Sequence, residues 1–249
     1  MTGHGVSYGA ISVMNAIPCG IGATIGIDLR TEVDFAPAAM TEVTLIDRPN
    51  TGSRLVKTCV ARTLEALGEA PFNYELTVRT DIPPSMGLKS SSSVCNAVIS
   101  AVLNHFQVHW DPMRVIKLGV ECAKECKVTI TGAIDDACGC HLGGLVVTDN
   151  TKNELISRTD VPRYDVVICV PDTSIPKSKV PVEKYRELRD RYESMVPGIR
   201  EDYLKVLNEN GSLVGSIIGN ENLAAKAMGL GALAAGVTGT GPAVAIVAE

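Results

Sequence analysis

Pro83-Pro84-Ser85-Met86-Gly87-Leu88-Lys89-Ser90-Ser91-Ser92-Ser93 sits between two segments of opposite periodicity. Before it, Tyr74, Leu76 and Val78 alternate with Glu75, Thr77 and Arg79, the pattern of a half-buried strand. After it, Val94, Ala97, Val98, Ala101, Val102 and Leu103 describe a buried helix. The stretch is therefore a strand-to-helix connection. Its prolines stiffen the exit from the strand and withhold their N–H groups. Gly87 lets the backbone approach a ligand closely, and the serines open a helix whose unpaired N–H groups favour an anion. Lys89 adds a cation there, and a serine hydroxyl can ligate Mg²⁺. One serine suffices to cap a helix, so four beside Gly87 and Lys89 exceed that need. The expectation is a loop that holds ATP phosphates. It is not a Walker A loop, because Leu88 and not glycine precedes Lys89. Gly3-His4-Gly5 with Gly9 lacks the dinucleotide spacing.

Outward from this loop, Ile11 to Ile17 and Ala23 to Leu29 read as strands of a hairpin around Pro18-Cys19-Gly20-Ile21-Gly22, with a third strand from Thr41 to Asp47. The spacing of Leu55, Val56, Cys59, Val60, Leu64 and Leu67 predicts a helix that Gly68 stops. Asp111-Pro112 opens another, running to about Glu125. A strand follows at Leu145 to Asp149, and the polar stretch Asn150 to Asp160 reads as a domain boundary. Beyond it come a strand at Asp165 to Val170 and an amphipathic helix carrying Tyr185, Leu188, Tyr192 and Met195. Helices at 199–209 and 220–235 and a last strand from Ala243 to Ala248 complete the reading. The mixture of strands and helices, without βαβ regularity, indicates α/β or α+β.

The 249 residues are 45% hydrophobic and 20% charged, as in ordinary globular enzymes. A formal net charge of −5, with no Lys/Arg block, argues against nucleic acid. No apolar run reaches the ~18 residues that span a bilayer, and the N-terminus lacks a secretory pattern. A cytoplasmic location follows as an expectation, with the eight cysteines as reduced, packed thiols. Cys122, Cys126, Cys138, Cys140 and His141 admit a zinc reading, but without knuckle spacing packing is the stronger one.

Two further elements carry chemistry. Asp135-Asp136 after Thr131-Gly132 offers a carboxylate able to take a proton from an attacking hydroxyl; equally, such a pair caps a helix. Gly239-Thr240-Gly241-Pro242 suits a tight turn or a close approach to substrate. Lys177 and Lys179 read as a solvated loop or as a grip on an acidic substrate.

Together these motifs resemble a family. Pro83-Pro84-x-x-Gly87-Leu88-x-Ser90-Ser91 looks like the central motif of the GHMP kinases, and Gly239-Thr240-Gly241-Pro242-Ala243 like their C-terminal glycine motif. Gly132-Ala133-Ile134-Asp135 falls where members carry a catalytic aspartate. Lys89, in place of the usual glycine, and Gly9-Ala10-Ile11-Ser12-Val13-Met14-Asn15-Ala16-Ile17-Pro18 resemble the archaeal shikimate kinase branch. The resemblance implies a two-domain α+β fold: an ATP-binding domain of ribosomal-protein type over 1–158, and a ferredoxin-like domain over 159–249 that lacks its closing helix and strand. It implies ATP and Mg²⁺ as cofactors, with Pro83, Pro84, Ser85, Met86, Gly87, Leu88, Lys89, Ser90, Ser91, Ser92 and Ser93 around the triphosphate. Ser91 and Glu121 (or Glu125) are the implied metal ligands. Asp135 is the implied base toward the shikimate 3-hydroxyl, with Asn15, Thr240 and Gly241 at the substrate. Another small-alcohol kinase, such as homoserine kinase, or a non-catalytic binding module are the alternatives.

Overall fold

The computed structural model describes residues 2–46, 52–172, 175, 177–220 and 222–249. In chain order the elements are β1 (Gly3–Met14), β2 (Ile21–Pro37), β3 (Glu42–Leu45), α1 (Arg54–Leu67), β4 (Tyr74–Thr80), α2 (Ser90–His105), α3 (Pro112–Glu125), α4 (Ile134–Leu142), β5 (Leu145–Asp149), β6 (Glu154–Thr159), β7 (Asp165–Cys169), α5 (Val182–Arg186), α6 (Arg189–Met195), α7 (Gly198–Glu201), α8 (Tyr203–Ile218), α9 (Asn222–Gly229), β8 (Ala234–Val237) and β9 (Val244–Ala248).

The hairpin is longer than its apolar stretches suggest. β1 begins at Gly3 and pairs antiparallel with β2 from Gly3↔Phe35 to Met14↔Ala23. The opposite edge of β2 is shared: β4 pairs with residues 31–37 and β5 with residues 21–25. β3 joins β4 in parallel and β6 closes the other side, giving a six-stranded sheet. A second sheet, β7-β9-β8, has three antiparallel strands.

Local chemistry explains the helices that cover the first sheet. α1 buries Val56, Cys59, Val60, Thr63 and Leu64 on one face, and Gly68 ends it in the left-handed conformation, φ 75°. Asp111 caps α3 by accepting from the Met113 N–H, with Pro112 at the first helical position. These helices and α2 close over Phe35, Leu76 and Val78. A second core joins the hairpin residues Ile11, Val13, Met14 and Ile25 to Tyr192, Met195, Val206 and Leu207, so the two sheets share apolar ground beside the site.

Three expectations need correction. The polar stretch 150–160 contains β6, an edge strand paired to β5 that shows no apolar alternation because it is largely exposed. The amphipathic helix near residue 185 is two short helices, α5 and α6, and α7 and α8 replace the single helix at 199–209. Ala234 and Ala235, included in the helix expected at 220–235, begin β8, a fully buried strand. Of the third strand, Asp47 lies outside the described residues, as does the Lys177 side chain.

Candidate active site

The loop between β4 and α2 has left-handed backbone at Ser85, Gly87 and Lys89, with φ of 60°, 83° and 69°. At Gly87 a Cβ would collide with the Thr238 carbonyl, so glycine is required by both its torsion and its surroundings. Lys89 occupies the N-cap position of the 16-residue α2 and its own side chain does not cap that terminus. The start of such a helix is a place where an anion is favoured.

The second glycine stretch, between β8 and β9, is bonded to this loop. The Thr238 hydroxyl donates to the Gly87 carbonyl at 3.1 Å, and the Ala243 N–H to the Met86 carbonyl at 3.3 Å. Ser12 on β1 ties both together: its N–H donates to Thr238 Oγ1 at 2.9 Å and its Oγ accepts from the Gly239 N–H at 3.0 Å. Three segments distant in sequence thus form one wall.

Lys89 crosses that wall. Its side chain is 5% exposed, and Nζ lies 2.8 Å from Asp136 Oδ1 and 2.7 Å from Ser12 Oγ. Burial opposes its charge, but the Asp136 and Asp135 carboxylates outweigh it and raise the Lys89 pKa above its ordinary value. Asp135 stands at the start of α4, 4% exposed. Asn150 donates to its Oδ1 at 2.7 Å, Thr24 Oγ1 donates to its main-chain carbonyl at 2.9 Å, and Gly22 leaves room for Oδ2, which a Cβ there would meet at 2.5 Å. Burial, and then the neighbouring Asp136 charge, push the Asp135 carboxyl up to about 6 against the pull of Lys89 and Asn150. A carboxylate so placed is ionised at neutral pH and more basic than an exposed one.

Two spaces meet at Lys89. A cleft of about 370 Å³ is lined by Pro83, Ser85, Gly87, Leu88, Lys89, Ser90, Ser91 and Ser92, with Lys127, Val128, Thr129, Asp136 and Ser178 opposite. A smaller cavity of about 30 Å³ holds Asp135, with Ser12, Asn15, Thr131 and Thr240 in its lining. Lys89, Asp136, Thr129, Ala133 and Gly239 belong to both.

Several anticipated residues lie elsewhere. Met86 packs into the core, Ser93 is fully buried with its hydroxyl on Thr31 Oγ1 at 2.9 Å, and Pro84 does not line the cleft. Gly241 faces Ile218 and Val237 and not the cavity. Asn15 lines the cavity, but its carboxamide bonds the Gly239 carbonyl and the Ile17 N–H, which makes it a fastener of the wall. Glu121 is on the wrong side of α3: it borders a depression with Trp110 and Arg114, 3.7 Å from Arg62, and Glu125 is exposed and lines neither space. Cys59 and Cys122 are free thiols in the core under α1 and α3 while Cys138 and Cys140 are buried on α4, so the cysteines are not gathered around one point. Among the described residues no cluster of three His, Cys, Asp or Glu side chains is placed to hold a metal, and no helix is long and apolar enough to cross a membrane. Sequence reading missed Asn150 and Ser12 as partners, which only the tertiary fold brings to Asp135 and Lys89.

The GHMP kinases N terminal domain family model matches residues 54–144. A shikimate kinase of Pyrococcus furiosus is 33% identical over 98% of this chain and 90% of its own length, and one of Methanosarcina acetivorans 35% identical over 98% and 84%. The chain belongs to the archaeal-type shikimate kinases of the GHMP kinase superfamily. Its fold is that of the superfamily: the mevalonate kinase of Methanococcus jannaschii superposes with a TM-score of 0.79 at 16% identity, covering 100% of this chain and 90% of the other. A homoserine kinase of Cytophaga hutchinsonii gives 0.75 at 16% identity, over 98% of this chain and 85% of that one. The family uses ATP, and the loop 83–93 lies within the stretch that the family model matches.

Proposed function

We propose that this enzyme transfers the γ-phosphoryl group of ATP to the 3-hydroxyl of shikimate, giving 3-phosphoshikimate and ADP, in the cytoplasm. The observation that carries the reading is the seam at Lys89, where a glycine-serine cleft meets a cavity holding one buried, basic carboxylate. The sequence relatives named shikimate kinase select the substrate. We take residues 1–158 as the ATP-binding domain and 159–249 as the second domain.

In this mechanism the amides at the start of α2 and the hydroxyls of Ser90, Ser91 and Ser92 hold the triphosphate. Asp135, oriented by Asn150, accepts the proton of the acceptor hydroxyl as its oxygen attacks phosphorus. Lys89 faces both spaces and offsets charge on the transferring group, while Asp136 and Ser12 keep its ammonium in place. Thr240 borders the acceptor. For Mg²⁺ the cleft offers hard oxygen donors, and the Ser91 hydroxyl and the Asp136 carboxylate are the groups that would hold the ion. When bound, the ion would neutralise phosphate charge. The test is ADP release from ATP with shikimate, homoserine and galactose in parallel. Release with shikimate supports the assignment; release with homoserine and none with shikimate overturns it.

A further inference from the structure

The cavity around Asp135 adjoins a groove of about 410 Å³, and Ala16, Ile17, Ile130 and Thr131 line both spaces. Asn150, the donor to Asp135, also lines the groove. The groove and the nucleotide cleft have no lining residue in common, so the small cavity borders two separate spaces. One is the phosphate side. The other is the side from which an acceptor must come.

The charge of that second space is one-sided. Its lining includes Arg186 and Arg189 and no carboxylate. Arg186 ends α5 and Arg189 begins α6, and the turn that holds them is anchored by Tyr185 and Tyr192, both fully buried. Each guanidinium engages a glutamate through one nitrogen: Arg186 Nη1 to Glu183 Oε1 and Arg189 Nε to Glu193 Oε1, both at 2.7 Å. These pairs are exposed, and pairs of that kind contribute only ~0.2–1 kcal/mol. A guanidinium has five N–H donors in a planar fork, so donors remain for a second anion.

We propose that Arg186 and Arg189 form the subsite for the acceptor's carboxylate. An alcohol that bears a carboxylate binds with its acid at the groove mouth and its hydroxyl toward Asp135, and an uncharged alcohol of the same shape is discriminated against. This rests on the kinase reading above and names what that reading leaves open, the group by which the acceptor is selected.

The experiment titrates shikimate and its methyl ester into the wild type, Arg186→Ala, Arg189→Ala and the double variant by calorimetry, with ADP release measured alongside. Each single substitution weakens shikimate binding roughly tenfold or more, the value of a charge-assisted hydrogen bond. The ester binds the wild type weakly and is insensitive to the substitutions, and the KM for ATP stays in place. Equal losses for acid and ester, or shikimate affinity unchanged in the double variant, overturn the subsite. Arg-dependent shikimate binding without ADP release leaves the subsite standing and removes the kinase reading. ADP release with an unaltered shikimate KM in both variants does the reverse.

Discussion

The two sides of Lys89 are built differently. The proposed nucleotide side is built chiefly on one continuous stretch within residues 83–92, offering amides, hydroxyls and left-handed turns at Ser85, Gly87 and Lys89, with residues of other segments opposite. The acceptor side is a set of single side chains from β1, α4, the connection after β5 and the α5–α6 turn, joined only by folding. A backbone cradle suits a ligand that every kinase shares, whereas separate side chains suit the partner that distinguishes one kinase from another. The contrast also predicts different failures: damage to the first side costs nucleotide affinity, and damage to the second costs chemistry or selection.

The largest expected effect separates the two most cleanly. Asp135→Asn lowers kcat by roughly 10²–10⁴-fold, the share of a general base, while calorimetry with a non-hydrolysable ATP analogue shows nearly unchanged affinity. Turnover at the wild-type rate would take the base role from Asp135. Next comes the seam itself. Lys89→Ala leaves the largely enclosed Asp136 carboxylate without its partner and destabilises the fold by up to about 3–5 kcal/mol in urea titrations, and Lys89→Met combined with Asp136→Leu recovers most of that loss. A single variant within about 1 kcal/mol of wild type, the range of an exposed pair, would show that the pair is solvated.

A smaller effect follows from the Asp135 carboxyl, whose pKa of about 6 stands above the ~3.9 of an unfolded aspartate. Activity falls about tenfold per unit below pH ~6 as the base protonates. Stability moves the other way: between pH ~4 and ~6 the folded state binds more protons, so this group's contribution decreases as pH rises. Asp135→Asn removes both dependences, which paired pH–rate and pH–urea profiles can read. The smallest effect is that of Glu121→Ala. Its contact with Arg62 is exposed, so ADP release and the melting temperature stay near wild type; a large loss of Mg²⁺-dependent activity would return Glu121 to the site.

What the sequence made legible follows the same division. The Gly68 stop, the Asp111 cap and the strand-loop-helix around Gly87 are local signals, and each appears where its chemistry predicts. β6 escaped because an exposed edge strand leaves no alternation to read, and Ala234–Val237 because buried alanines mimic a helix. Lys89 was visible as an odd residue in its motif, but its bonds to Ser12 and Asp136 span 77 and 47 positions and have no local signature. The position of Glu121 was hidden for a related reason: proximity along the chain to Asp135 says nothing of which way α3 turns its face, and the buried residues Val120 and Cys122 point it outward. Arg186 and Arg189 sit in a polar run that resembles any solvated helix surface until the groove is seen.

The Ser12–Thr238 hydrogen bond joins positions 226 residues apart. A contact of that reach is formed late, because the entropy of closing so long a loop precedes any reward. During synthesis, therefore, the helices over the first sheet can assemble while the phosphate loop still lacks half of its wall. Competence for phosphoryl transfer is acquired only when the segment around Thr238 has left the ribosome, so this protein cannot consume ATP as a half-made chain.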